Sequence, residues 1–394
     1  MDWLELEKKY FMPVFKRFPV VLVGGKGPWV WDEQGRKYLD FLGGWAVNSL
    51  GHCHPAVVEA LAKQAGELIH TSNQVYTIPQ LELARLLVEN SSLDQVFFCN
   101  GGAEANEGAV KLARKYGRLY RQGAYEVISA LNSFHGRTLA MLAATGQVKF
   151  QEPFAPLPEG FLNVEYNNIE ALKAATTRKT CAVLLEPIQG EGGVIIPGKD
   201  YFHQVREWCD KEGLLLILDE VQTGVGRTGT LFAYQQLGIE PDILTLAKGL
   251  GSGVPIGAIL AKRRASVFSP GDHGSTFGGN PLVCSAAYAT LRFILENRVL
   301  ENVKWVGSYL RDKLMELKSE FGFIREVRGR GLLLAMEFEG EISEAVVQSC
   351  LHQGLLLNPV RPNAVRLMPP LIIGEAEVDQ ALGILQKVLT ELQV

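Results

Sequence analysis

Apolar residues fall along this chain in two rhythms. From about residue 95, short apolar runs recur: "QVFFCN", "YEVISAL", "CAVLLEP", "LLLILDE", "DILTLA" and "PIGAILA". They carry little polar alternation, the pattern of strands covered on both faces, as in a parallel sheet. Between several of them lie stretches with helical spacing, such as "AEANEGAVKLARKYG" and "DYFHQVREWCDKEG". This alternation predicts an α/β fold, a mostly parallel central sheet with helices on both faces. The two ends of the chain read differently. The first 45 residues predict a short helix and then small strands, "VVLVGG", "PWVWD" and "KYLDFL", separated by Gly-rich and Asp-Glu-Gln-Gly turns. Helices are expected to begin at Pro55 and to follow Pro79, because proline is tolerated in a first turn. After Asn280 two long helices are expected, near 281–297 and 299–320. Residues 324–394 read as a smaller α/β unit of strand, helix, strands and helix.

Composition narrows the class without naming it. A length of 394 residues is enough for two domains. With 47% hydrophobic and 21% charged residues, the balance is that of a globular protein. A net charge of -4 leaves no nucleic-acid footprint and no membrane-surface bias. The opening "MDWLELEKKYFMPVF" lacks the basic head and apolar core of a signal peptide, and no apolar run approaches a membrane span. Cys53, Cys99, Cys181, Cys209, Cys284 and Cys350 are scattered without a CxxC, which predicts reduced thiols and a cytoplasmic location.

The sharpest chemical signal is "LLLILDE", where an apolar strand runs into Asp219 and Glu220. Open parallel sheets bind ligands beyond the C-terminal ends of their strands, so this pair stands where chemistry is done. Three motifs that could explain it fail. "GVIIPGKD" resembles a nucleotide-binding P-loop, but Asp200 replaces the hydroxyl that would ligate Mg²⁺. "GVGRTG" spells GxGxxG, yet "DEVQT" separates it from the strand and only the short "TLFAYQQLG" follows. A Gly-rich loop over a site is the better expectation. "GHCHP" lacks a CxxC or HExxH to complete a ligand set, so it reads as a turn before the helix at Pro55, and no metal is expected.

A different constellation holds together. Lys248 ends the run "DILTLA" and is followed by Gly249, Gly251 and Gly253. A lysine at a buried strand end must be paired, or lose its charge as in a Schiff base; otherwise it is a solvated lysine after a strand. In "FFCNGGAEANEG", Gly101 and Gly102 precede a helix starting near Ala103. Such a helix start can cradle a phosphate, or it can be an ordinary turn. "YEVISALNSFHGRT" brings Phe134, His135 and Arg137 to the same sheet edge. A phosphate cradle, an aromatic, a carboxylate and a lysine together suit pyridoxal phosphate, which needs a lysine Schiff base and an acid on its ring nitrogen. Asp219 is the expected acid. Glu220 points to the other side of the strand and is expected in a structural ion pair.

With these residues in view, "FFCNGGAEANEGAVKLARKYG", "SFHGRT", "EPIQGEGG", "LDEVQTGVGRTG", "LAKGLGSGVPIGA" and "STFGGNPL" together resemble the class III, pyridoxal-phosphate-dependent ω-aminotransferases, most of all their N-acetylornithine branch. The likeness extends from "GPWVWDEQGRKYLDF" to "VRLMPPL". It implies the fold type I architecture: a large cofactor domain over 47–280 and a small domain built from 1–46 and from 281–394, the latter with its linking helices. It also implies a homodimer with active sites at the interface. By the same resemblance Lys248 is the Schiff-base lysine and proton shuttle, Asp219 pairs with the ring nitrogen, and Gln222 reaches the ring hydroxyl. Gly101, Gly102 and Ala103 hold the phosphate, Phe134 and Val221 press on the two ring faces, and Thr276 reaches the cofactor phosphate of the partner subunit. Arg137 is implied to take the distant carboxylate of an ω-amino substrate and Arg366 the α-carboxylate of glutamate or 2-oxoglutarate. Glu191 covers Arg366 in between, with Glu186 and Gln189 supporting its loop. Ser275, Trp45 and Tyr76 are implied near the substrate.

The implied reaction moves the ω-amine of N2-acetyl-L-ornithine to 2-oxoglutarate, giving N-acetyl-L-glutamate 5-semialdehyde and L-glutamate, a step of arginine synthesis. Ornithine, γ-aminobutyrate, succinylornithine and carrier-linked lysine are alternative donors. An aminomutase and a non-catalytic cofactor-binding protein are the remoter alternatives. Two positions depart from the family pattern. Gly101 stands where relatives often carry Ser or Thr. Trp45 stands where ornithine-type relatives carry Tyr and acetylornithine-type relatives usually an aliphatic residue, so it is expected either to line the substrate tunnel or to pack under the N-terminal strands.

Overall fold

In the computed structural model, which describes residues 2–392, the apolar runs become strands of three sheets. The strands are β1 (Leu22–Lys26), β2 (Trp29–Asp32), β3 (Lys37–Asp40), β4 (Gln95–Cys99), β5 (Glu126–Ala130), β6 (Phe161–Val164), β7 (Thr180–Leu185), β8 (Leu215–Asp219), β9 (Ile243–Leu246), β10 (Gly257–Ala261), β11 (Ile324–Arg330), β12 (Leu333–Phe338), β13 (Leu355–Leu356), β14 (Asn358–Arg361) and β15 (Ala364–Leu367). The central sheet has the order β4-β10-β9-β8-β7-β5-β6. The strands from β9 across to β6 are parallel, and β10 runs antiparallel between β4 and β9.

The lack of polar alternation has the meaning expected of it. Leu216 and Leu218 join one buried core, while Leu215 and Ile217 join the core on the other face. Successive side chains point to opposite faces, so a strand apolar at every position feeds two cores at once. Helix Gly102–Tyr120 covers the second face with Ala105, Ala109, Val110, Leu112 and Ala113. Near its end a Cβ at Gly117 would lie 2.0 Å from the Ala124 carbonyl oxygen, so only glycine lets the helix come this close.

Both ends of the chain build the remaining sheets. β13, from near the C-terminus, pairs in parallel with β3 in the sheet β1-β2-β3-β13. The third sheet, β11-β12-β15-β14, is antiparallel, with helix Val299–Glu320 packed on β11. Among the described residues no helix is long and apolar enough to cross a membrane.

Several sequence expectations change. β6 was not foreseen: "FLNV" is four residues long, polar at Asn163, and pairs only at the sheet edge. The "GVGRTG" loop does not lie over a site. Its Arg227 is buried, Nη1 donates to the carbonyls of Leu332 and Pro369, and a Cβ at Gly226 would press on Leu371. The loop therefore ties the central sheet to the C-terminal part. Glu220 forms no ion pair among the described residues. It accepts hydrogen bonds from the backbone N–H groups of Ala233 (2.6 Å) and Tyr234 (2.7 Å), closing the loop that begins at Val221. In "GHCHP", His52 Nε2 meets Asp40 Oδ2 at 2.8 Å and His54 precedes helix Pro55–Glu67, its ring edge-on to Phe293.

Candidate active site

The C-terminal ends of the central strands open into a cavity of about 470 Å³. Each strand delivers one element. β4 leads through Asn100 and Gly101 into helix Gly102–Tyr120, β5 into the loop of Phe134, His135 and Arg137, β8 into Asp219, Val221 and Gln222, and β9 into Lys248. β8 and β9 are paired with Asp219 opposite Thr245, which sets the acid and the lysine on adjoining strand ends.

Lys248 has φ +39, a left-handed conformation at the second residue after the strand. Among the described residues it forms no ion pair and no side-chain hydrogen bond. Burial holds its ammonium below the usual lysine range, partly opposed by Glu191 and helped by Arg366. A lysine so placed is nucleophilic and suited to forming an imine.

Asp219 is held by three donors. His135 Nδ1 (2.8 Å) and Asn106 Nδ2 (2.7 Å) reach Oδ2, and the Val221 N–H reaches Oδ1 (3.0 Å). Asn106 is fixed in turn by Thr245, whose hydroxyl donates to Asn106 Oδ1 at 2.7 Å. His135 Nε2 is buried without a partner among the described residues. Glu186 stands close by, accepting from the N–H groups of Phe134 and Gly190; burial pushes its carboxyl up to about 7, with His135 opposing and Asp219 adding.

At the helix start, Gly102 is required: a Cβ there would lie 2.8 Å from Val221 Cγ1. Gly101 is not required sterically. Its φ is -178°, and a Cβ would meet no protein atom within 4 Å. Gly101, Gly102 and Ala103, at the start of a 19-residue helix, line the cavity, and a helix start of this kind can take an anion.

The two arginines are placed differently. Arg366 is wholly buried. Its Nη1 meets Glu191 Oε1 and Gln222 Oε1, at 2.8 and 2.9 Å, and its other nitrogens donate to Asn358. Burial works against the charge of Glu191, but Arg366 and Lys248 outweigh it and hold that carboxyl below its usual range. Arg137 is exposed, stacks 4.1 Å from the Phe150 ring centroid, and has no carboxylate partner among the described residues. Arg366 is not part of the cavity wall; Glu191 and Gln222 stand between it and the space.

The cavity gathers Gly101, Gly102, Ala103, Phe134, Arg137, Glu191, Asp219, Val221, Gln222 and Lys248. Ser275 adjoins its rim, accepting from Asn100 Nδ2 at 3.3 Å. Thr276 is exposed. Neither Trp45 nor Tyr76 lines the cavity of this chain. Trp45 is half exposed with φ +59, and Tyr76 is 91% exposed. The sequence reading gave no part to Asn106 or Thr245 and no role to His135. The available signal was a lone polar residue on the apolar stripe of "AEANEGAVKLA", and a threonine one strand over from Asp219.

These residues fit pyridoxal phosphate. An unpaired buried lysine, an open helix start, and a buried carboxylate oriented by three donors match its aldehyde, phosphate and ring nitrogen.

Comparison with known proteins agrees. Residues 11–389 match the class-III aminotransferase family. The acetylornithine aminotransferase of Methanocaldococcus jannaschii is 53% identical over all of this chain and 99% of its own. That of Caldanaerobacter subterraneus is also 53% identical, over 98% and 99%. Among solved structures, ornithine aminotransferase from Toxoplasma gondii superposes with a TM-score of 0.96 at 36% identity, covering 100% of this chain and 95% of that one. N-acetylornithine aminotransferase from Stenotrophomonas maltophilia gives 0.85 at 38%, with 99% of each chain covered. Strand ends that gather a lysine, an acid and an open helix start, and likeness over nearly the full length, lead to one conclusion: the chain belongs to the class III aminotransferases, which depend on pyridoxal phosphate.

Proposed function

We propose that this enzyme transfers the ω-amine of N2-acetyl-L-ornithine to 2-oxoglutarate, giving N-acetyl-L-glutamate 5-semialdehyde and L-glutamate. The observation that carries the reading is Glu191 closed over Arg366 at 2.8 Å, beside a free Arg137. A site serving two substrates in turn needs one carboxylate pocket that opens and closes. With Arg366 covered, a donor is held by Arg137 at its far carboxylate, which leaves its ω-amine at Lys248. With Glu191 aside, Arg366 takes the α-carboxylate of glutamate or 2-oxoglutarate in a bidentate pair. The relatives at 53% identity carry the acetylornithine name, which favours that donor over ornithine.

Bound pyridoxal phosphate supplies an aldehyde that takes up the amine and a ring that draws electrons from the amine-bearing carbon. Lys248, whose charge burial disfavours, would carry a proton between that carbon and the cofactor's aldehyde carbon, on the far side of the nitrogen that joins them. Asp219, oriented by His135, Asn106 and the Val221 N–H, would meet the ring nitrogen. The Gly102 and Ala103 N–H groups would hold the phosphate, and Phe134 and Val221 would border the ring.

The reading includes a homodimer, and an exposed apolar patch supports it. Ile69, Val75, Tyr76, Ile78 and Phe277 are exposed. The two segments adjoin, because Asn73 Nδ2 donates to the carbonyls of Ser275 and Gly278, and the tilted rings of His70 and Phe277 lie 5.2 Å apart. A second copy covering this patch gives Thr276, Trp45 and Tyr76 their place beside the partner's site. The same reading assigns 47–280 to the large domain and both ends to the small one, and places the enzyme in the cytoplasm, in keeping with free cysteines. The test is the pair of half-reactions. Conversion of the bound cofactor by N-acetylornithine and by glutamate alone supports the reading, and conversion by ornithine or γ-aminobutyrate instead replaces the donor.

A further inference from the structure

Glu191 sits on a hairpin, Gln189 to Ile195, closed by hydrogen bonds of 3.1 and 3.0 Å between these two residues. Its backbone is left-handed at Gly193 (φ +108) and Val194 (φ +57). The hairpin is wedged. A Cβ at Gly190 would lie 1.9 Å from Gln222 Oε1, and one at Gly193 would lie 3.0 Å from Arg361 Nε and 3.3 Å from Arg328 Nη2.

Arg328 is used by nothing in the mechanism above, yet it holds this hairpin. Its Nε donates to the Gly193 carbonyl at 2.9 Å. Its Nη1 is braced by Glu337 (2.6 Å) and Glu326 (2.7 Å), and its side chain is only 9% exposed. The register adds a relation. Arg328 pairs with Ala335, and Ala335 pairs with Arg366. Cross-strand partners share a face of the sheet, so Arg328 and Arg366 stand on one face with Ala335 between them. One takes the carboxylate of the hairpin and the other its backbone, two residues further on.

We propose that Arg328 is a positioning residue that keeps the Glu191 hairpin on the sheet while Glu191 releases Arg366, and thereby sets the preference between the two substrates. This rests on the alternating use of Arg366 proposed above. If Glu191 were the hairpin's sole tie to this sheet, its release would free the loop, and each return would cost the ordering of several residues. With Gly193 held, the swing is confined to side-chain torsions. Without the anchor, Glu191 closes less often over Arg366. The donor half-reaction, which needs that closure, then slows. The glutamate half-reaction, which needs the opening, does not.

The test uses the holoenzyme, with N-acetylornithine and glutamate as separate substrates. Arg328→Ala is expected to lower the donor half-reaction by roughly tenfold and to change the glutamate half-reaction by less than about twofold. Arg328→Lys, which keeps one donor without the fork, is expected to fall between, and serves if the alanine variant does not fold. In a Glu191→Ala background, Arg328→Ala should add nothing, because both act on one event. If Glu191→Ala itself slows both half-reactions alike, the switch is wrong and this proposal falls with it. If Glu191→Ala separates them but the Arg328 variants slow both equally, or their effects multiply with it, the switch stands and Arg328 is only a structural brace.

Discussion

At the scale of single residues, charge is arranged by what surrounds it. Lys248 and Asp219 stand at the ends of adjoining strands, where burial works against the charge of the lysine and three N–H donors fix the carboxylate in place. Lys248→Ala is expected to lose covalent attachment of the cofactor while still binding it non-covalently, read by borohydride reduction and peptide mass. His135→Ala is expected to act through Asp219. Hydrogen bonds to charged groups are worth about 1.5–3 kcal/mol, so kcat/KM should fall roughly 10- to 100-fold. The absorbance of the bound cofactor should shift as ring protonation weakens; a fall in kcat/KM with an unchanged spectrum would remove His135 from this role.

At the scale of elements, the loops after the strands are fixed by side chains that sequence does not advertise. "LLLILDE" announced a strand ending in two acids. It did not say that Glu220 would cap backbone N–H groups at Ala233 and Tyr234, because that partner lies across a loop whose path depends on tertiary packing. Burial pushes the Glu220 carboxyl up to about 8, against an ordinary value of 4.5, with the two N–H groups opposing and Asp219 adding. The folded chain then holds a proton that the unfolded chain has lost, so stability is full below about pH 4.5 and falls as pH rises towards 8. Glu220→Gln should flatten that part of the curve of Tm against pH in the cofactor-free protein; an unchanged slope would contradict it. Gly117→Ala should cost about 1–3 kcal/mol, since its Cβ has only 2.0 Å to the Ala124 oxygen and the helix must shift. Chemical denaturation checks this, and a variant as stable as the parent would contradict the packing.

At the scale of the whole molecule, much was legible because periodicity and strand-end chemistry are local signals. The buried parallel strands, the long helices after Asn280, and the lysine–acid–glycine constellation all followed from runs of residues. The edge strand at Phe161 was too short and too polar to register. Asn106 and Thr245 were invisible as a support for Asp219 because their meeting depends on strand order. Trp45 and Tyr76 were expected at the substrate, yet both project from the surface of this chain, which a second copy would explain. Phe277→Asp, placed within the exposed patch, is expected to give monomers by analytical ultracentrifugation and to lose most activity; a dimer that persists would move the interface elsewhere. The central claim is the donor, and the half-reaction spectrum tests it most directly. Cofactor-loaded enzyme is mixed singly with N-acetylornithine, ornithine, γ-aminobutyrate or glutamate, and the visible band of the lysine-bound cofactor is followed. Rapid bleaching with N-acetylornithine and glutamate, and little with the others, is the predicted result. Rapid bleaching with ornithine or γ-aminobutyrate and little with N-acetylornithine would contradict it.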